Sequence, residues 1–223
     1  MQAVAGKQNY NLLMEREIER NRAAGIVPRL LLHACCAPCS SAVLERLSAD
    51  FDITVLYYNP NISPREEHDK RLAELERLVR EMPMPRAAHV VFEKYDPERF
   101  LEISRGLEDV PEGGERCEKC YRLRLSEAAR CAAAGGFDAF TTTLSISPLK
   151  DAEKLNRVGA ELAEACGVPY LFSDFKKKNG YRRSVELSAE YGLYRQDYCG
   201  CAFSRAEREK QKRERAERDE REG

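Results

Sequence analysis

The chain has 223 residues, 43% hydrophobic and 34% charged, which is enough apolar material for one substantial core beneath a charged surface. Its 37 basic and 38 acidic residues leave a net charge of -1, which excludes an overall polycation and leaves any nucleic-acid contact to local patches. No apolar stretch approaches the roughly 20 residues that span a bilayer, and MQAVAGKQNYNLLMEREIERNRAAG lacks the apolar centre of a signal peptide.

These absences predict a cytoplasmic protein with no membrane partner, in a reducing compartment where structural disulfides are rare. Residues 1–24 form a short amphipathic helical extension, with Leu12, Leu13 and Ile18 among charges, and AAGIVP ends it. The body of the protein is expected over 25–204. RLLLH, around residues 30–34, and DITVLYY, at 52–58, are strands, with the helix SSAVLERLSAD between them. Ser63 and Pro64 suit a helix start, and the helix that follows to about residue 81 aligns Leu72, Leu75, Leu78, Val79 and Met82 on one face.

AAHVVFEKY predicts a third strand, and DPERFLEISRGL a helix capped by Asp96 with Pro97 at its first position. After the turn-rich EDVPEGGER comes the helix YRLRLSEAARCAAAGG, closed by Gly135. FDAFTTTL is a fourth strand, LNRVGAELAEACG a helix ended by Gly167, and VPYLFSDF a fifth strand. Five strands separated by helices predict an α/β fold, a mostly parallel sheet with helices on both faces. The tail over 205–223 has almost nothing to bury and is expected to be a solvated helix or disordered, so removing residues from about 206 should leave activity largely intact.

Nine cysteines are many for such a chain, and seven of them cluster as Cys35-Cys36-x-x-Cys39, Cys117-x-x-Cys120 and Cys199-x-Cys201. Clustered thiols in a reducing compartment point to metal ligation or redox chemistry. The first group lies in a strand-to-helix loop, where α/β sheets place ligands, and the second precedes or opens a helix, whose dipole favours thiolates. Adjacent cysteines are unusual for zinc, which favours an iron–sulfur cluster over a structural zinc site. Cys199 and Cys201 suit either a readily reduced disulfide or further metal ligands. Cys131 and Cys166 are expected to be inert core residues.

His33 ends the first strand two residues before Cys35 and is weighed equally as a core histidine and a proton donor. His68 and His89 are expected to be structural, and GGER at 113–116 is no phosphate loop. Lys150 follows the fourth strand, where a lysine is either solvated or a phosphate ligand. Two basic segments with aromatics suit single-stranded RNA: Tyr121, Arg122 and Arg124 beside Cys120, and Lys176, Lys177, Lys178, Tyr181, Arg182 and Arg183.

In order, LLLHACCAPCS, YYNPNISPREEHDKR, ERCEKCYRLRL, TTTLSISPLKD and DYCGC closely resemble the motifs of the QueH-type epoxyqueuosine reductases, over about residues 28–204. The resemblance implies a cobalamin-independent oxidoreductase that reduces epoxyqueuosine at the tRNA wobble position to queuosine, the last step of queuosine biosynthesis. It implies a sheet related to the adenine nucleotide alpha-hydrolase and PP-loop folds, with HACCAPCS standing where those relatives carry an SGGxDS-like phosphate loop. The family's 4Fe-4S ligands match Cys35, Cys36, Cys117 and Cys120. The pair matching Cys199 and Cys201 is a redox-active disulfide or ligates an additional mononuclear iron. Some members have aspartate where Cys39 stands, a candidate ligand for that iron, and cysteine would serve there as a softer ligand.

His33, Tyr198 and Lys150 are the candidate proton donors. With no flavin or nicotinamide motif in the chain, electrons are expected from an external donor such as ferredoxin or flavodoxin. Two rivals remain open: a zinc-stapled RNA-binding module without catalysis, and an ATP-using PP-loop-type tRNA-modifying enzyme.

Overall fold

The computed structural model describes residues 8–222, so the first seven residues of the expected N-terminal extension lie outside the described residues. The elements run α1 (Tyr10–Ala23), β1 (Arg29–Ala34), α2 (Ala37–Leu47), β2 (Asp52–Tyr57), α3 (Arg65–Glu81), β3 (His89–Phe92), α4 (Pro97–Ser104), α5 (Glu115–Ala134), β4 (Ala139–Thr142), α6 (Ala152–Cys166), α7 (Gly180–Glu190) and α8 (Ala202–Glu222). A 3-10 turn, Thr143–Ile146, follows β4 directly.

The strands pair in parallel in the order β3-β2-β1-β4. The chain builds outward from β1 through β2 to β3, then returns to lay β4 on the other side of β1. That reversal makes the carboxyl ends of β1 and β4 a topological switch point, the crevice where open α/β sheets hold ligands. Alternation along the strands feeds two apolar layers. Leu30, Leu32, Ala34, Ile53, Val55 and Tyr57 face one layer with α2 and α3 residues. Leu31, Leu56 and Phe140 face the other, with alanines of α5.

The expected fifth strand is not formed. VPYLFSDF meets the sheet only through a parallel bridge between Phe140 and Tyr170. Phe140 N–H donates to Pro169 O at 3.0 Å and Leu171 N–H to Phe140 O at 2.9 Å. Pro169 has no N–H to extend the ladder, and β4 is only four residues long. The helix α7 was not foreseen in the basic segment; it starts after Asn179, whose backbone is left-handed at φ 61°.

Gly135 and Gly167 close α5 and α6 as expected, whereas Pro64 and not Ser63 stands at the N-cap of α3, one residue before the helix. Asp151 caps α6 by accepting from Glu153 N at 2.8 Å, and Gly167 ends it with φ 69°. Asp96 precedes Pro97 as expected but makes no side-chain capping bond. No described helix is long and apolar enough to cross a membrane.

Candidate active site

Three loops bring the clustered cysteines to the switch point. Cys35 follows β1, and Cys36 sits extended at the start of α2, with Pro38 in the first helical turn holding Cys39 close behind. The thiols of Cys35, Cys36 and Cys39 all lie within 4.8 Å of one another. Cys117 and Cys120 occupy the first turns of α5, and Gly113 N–H donates to Cys117 Sγ at 3.2 Å. Cys199 and Cys201 precede α8 with their sulfurs 3.5 Å apart, and Ser204 N–H donates to Cys201 Sγ at 3.3 Å.

A cavity of about 350 Å³ is lined by Cys35, Cys36, Cys39 and Cys199. A small cavity of about 20 Å³ beside it is lined by Cys117, Cys120, Cys199 and Cys201. Cys199, Lys150 and Glu112 line both. The three cysteine groups therefore meet around Cys199 and Lys150, the convergence that sequence spacing alone left open.

Two buried arginines set the electrostatics. Arg71 pairs with Glu67 at 2.7 Å and donates to the Cys199 carbonyl at 3.1 Å. Arg124 donates through Nη2 to Asn59 Oδ1, and Asn59 donates to Ala34 O at 2.9 Å, which ties α5 to the end of β1. Arg124 Nε is buried without a partner, as is Asn61 Oδ1, and both residues line the small cavity. A buried guanidinium without a carboxylate requires another anion nearby. Burial works against the charge of Arg124, and the thiols of Cys120, Cys35 and Cys199 sustain it.

The thiols respond in kind. Hydrogen bonding from Cys36 and Cys39 holds Cys35 well below the ordinary thiol value, against burial and with help from Arg124 and Lys150. Cys36 is pushed up to about 12 by its bond to Cys35. Cys199 is lowered by its bond to Cys201 and by Lys150, while burial raises Cys117 and pushes Cys120 to about 11. Burial also works against the charge of Lys150, but Cys199 and Cys35 keep its ammonium above the ordinary lysine range. Burial and Cys199 raise Glu112. Several thiols around an unpaired buried cation and unfilled polar atoms fit an anionic thiolate-held metal group.

A family model described as "Epoxyqueuosine reductase QueH" matches residues 30–207. The chain belongs to the QueH epoxyqueuosine reductase family. It is 42% identical over 200 residues to the epoxyqueuosine reductase QueH of Streptococcus pyogenes serotype M1, covering 89% of this chain and 78% of that one. It is 38% identical over 202 residues to the namesake of Staphylococcus epidermidis, covering 89% and 85%. To that of Thermotoga maritima it is 34% identical over 182 residues, covering 80% and 91%.

Against this QueH framework the remaining candidates separate by position. His33 is fully buried, with Nδ1 2.8 Å from Thr142 Oγ1 and Nε2 3.2 Å from Tyr58 O, and it lines neither cavity. Burial, then Arg124, lowers it to about 3, and this placement is that of a core histidine, one of the two roles expected for it. Lys150 and Tyr198 do line the large cavity, and Tyr198 lies under the Arg71 guanidinium at 5.3 Å.

Tyr121 and Arg124 are buried, 4% and 3% exposed, so neither presents a surface to RNA. The residues of α5 that face inward are packed against the cysteines, and only Arg122 of that trio faces out, paired with Glu161. In the second basic segment only Tyr181 lines the large cavity. Lys176 donates to Ser145 O and Lys150 O, Lys178 pairs with Glu15 at 2.5 Å, Arg182 with Glu186 at 3.0 Å and Arg183 with Glu45 at 2.7 Å, while Lys177 is exposed. Cys131 is half-buried, packed against the α5 alanines as expected but with its thiol beside Glu93 and Glu127.

The sequence reading missed Arg71, Glu112, Arg195 and Arg208. Arg71 carried a signal, because it stands in register with His68, Leu75 and Leu78, the buried stripe of α3. A charge on such a stripe asks for a buried partner.

Proposed function

We propose that this chain reduces the epoxide of epoxyqueuosine, in the wobble position of tRNA anticodons, to the alkene of queuosine, using a 4Fe-4S cluster held by Cys35, Cys36, Cys117 and Cys120. The observation that carries the reading is the meeting of three cysteine-bearing loops at two adjoining cavities that share Cys199 and Lys150, the larger of about 350 Å³ and of the size that holds small ligands. The sheet order, with the cysteine loop after β1 at the switch point, supports kinship with the adenine nucleotide alpha-hydrolase and PP-loop folds.

The reaction takes two electrons and two protons, breaks both carbon–oxygen bonds of the epoxide, and releases water and the alkene. When bound, the cluster supplies electrons singly, and an additional iron at Cys39, Cys199 and Cys201 supplies Lewis acidity. The chain's own residues do the rest. Lys150 holds a proton beside the Cys199 and Cys35 thiols, and Tyr198, which lines the same cavity, offers a second. Arg71 and Arg124 keep the surroundings cationic, which balances the charge of the thiolates. The electrons come from an external one-electron donor of the ferredoxin or flavodoxin class.

The test is metal and acid-labile sulfide content of anaerobically purified protein, followed by mass spectrometry of epoxyqueuosine-containing tRNA after incubation with a reductant. About four sulfides with four or five irons, and conversion to queuosine, are expected. Colourless protein with zinc, no sulfide and no conversion would overturn the reading in favour of a zinc-stapled RNA binder.

A further inference from the structure

The mouth of the large cavity carries a cation that the reaction does not use. Arg195 lines it and is fixed by donating from Nη1 to Ser184 O at 3.2 Å and Ser188 Oγ at 2.9 Å. Both partners are neutral, and no carboxylate of the described residues pairs with it. Its neighbours on α7 differ: Arg182 and Arg183 are each neutralised by glutamates. The guanidinium lies 6.0 Å from the centre of the Tyr181 ring, which is 41% exposed and lines the same mouth. Arg208 also reaches the mouth, but Asp197 engages it at 3.3 Å. Among the described residues that line the cavity, Arg195 is therefore an exposed arginine whose charge no carboxylate neutralises.

A pre-positioned guanidinium with unused donors beside an exposed aromatic face matches the two parts of single-stranded RNA, phosphate and unstacked base. The cavity floor holds the thiols, so a nucleotide reaching them must be turned out of its stack, leaving its phosphate at the rim. We propose that Arg195 binds the backbone phosphate beside the nucleotide turned into the cavity, and that Tyr181 stacks on an adjoining base of the loop. This rests on the epoxyqueuosine reductase reading and names the contacts by which RNA, as opposed to a free nucleoside, is held.

Arg195 and Tyr181 separate by salt. Binding of a fluorescent anticodon stem–loop is measured against salt concentration, apart from turnover. Arg195→Ala is expected to bind about tenfold more weakly and to lower the slope of log affinity against log salt by about 0.7, one single-strand phosphate contact. Arg195→Lys should keep that slope. Tyr181→Ala should weaken binding with the slope unchanged, because stacking releases no counterion. Arg157→Ala, which removes a charge already paired with Glu118 and Glu161, is the control and should change neither.

Unchanged affinity and slope in Arg195→Ala, with iron content intact, overturns the proposal. So does an equal loss in the Arg157 control. If Arg195→Ala fails to fold, a wild-type affinity in Tyr181→Ala together with a wild-type slope and affinity in a charge-removing Arg195→Gln overturns it. A wild type that binds the stem–loop but reduces no epoxide counts against the function, while the slope still decides the role of Arg195.

Discussion

Gly200 separates the two cysteines nearest α8, and its φ of 115° is one that L side chains rarely adopt. A Cβ there would also stand 2.9 Å from both Arg71 Nη1 and Ile62 Cγ1. Gly200→Ala is therefore expected to cost about 1–3 kcal/mol and to displace Cys199 and Cys201 from the cavity. A denaturant melt and iron content measure the two effects, and wild-type values for both would show the loop to be tolerant. His33 makes a different prediction, set by sign. Its folded value of about 3 lies below the ordinary 6.5, so between these pH values the unfolded chain binds a proton that the folded one does not. Its contribution is complete above pH 6.5 and is lost as pH falls toward 3, by at most about 1.4 kcal/mol per pH unit. His33→Gln should flatten that part of the stability–pH curve and leave the pH profile of turnover unchanged. A shifted profile would restore His33 as a proton donor.

At the scale of elements, α8 forms as one of the two states its composition allows, a solvated helix. Composition predicts a solvated tail, and most of the helix is exposed. Yet Glu207, Arg208 and Gln211 line a groove of about 310 Å³ with Tyr198 and Asp197, and Arg208 reaches the main cavity as well. Asp197 is engaged by Arg208 at 3.3 Å and by Lys212 at 2.6 Å. Cutting the chain after residue 205 would leave that carboxylate unpaired at the entrance proposed for an RNA phosphate. The KM for tRNA is then expected to rise about fivefold to tenfold, whereas a cut after residue 213 should leave it within about twofold. Equal kinetics for the two truncations would return α8 to the role of a spectator. The lost fifth strand and the gained α7 are related cases: a proline and a short neighbour limited one, and tertiary packing of α7 against α2 fixed the other.

For the whole molecule, the site draws on β1, α5 and the loop before α8, which are remote in sequence and tied together by few direct bonds. The link from Arg71 to the Cys199 carbonyl spans 128 positions. A metal group held by cysteines of all three segments would cross-link them and neutralise Arg124. Removing it with a chelator under anaerobic conditions should lower the melting temperature by about 5 °C or more, as read by differential scanning calorimetry. An unchanged melting temperature after complete loss of metal would show that the three loops hold themselves.

The sequence by itself determined the three cysteine groups, their placement at strand and helix ends, the parallel α/β class, the glycine that ends α6 and the family resemblance. All of these are local periodicities or ordered motifs, written in one dimension. Tertiary structure alone decided which candidates face the cavity. Tyr121 and Arg124 turned inward because α5 presents them to the cysteine layer. His33 was buried by the parity of β1, which sets it on the same face as Leu31 with its ring on Thr142 Oγ1 and Tyr58 O. Arg71, Arg195 and Arg208 came to the site through elements packed on it from distant parts of the chain. Burial and charge pairing depend on what lies across a contact, and no spacing along the chain contains that information.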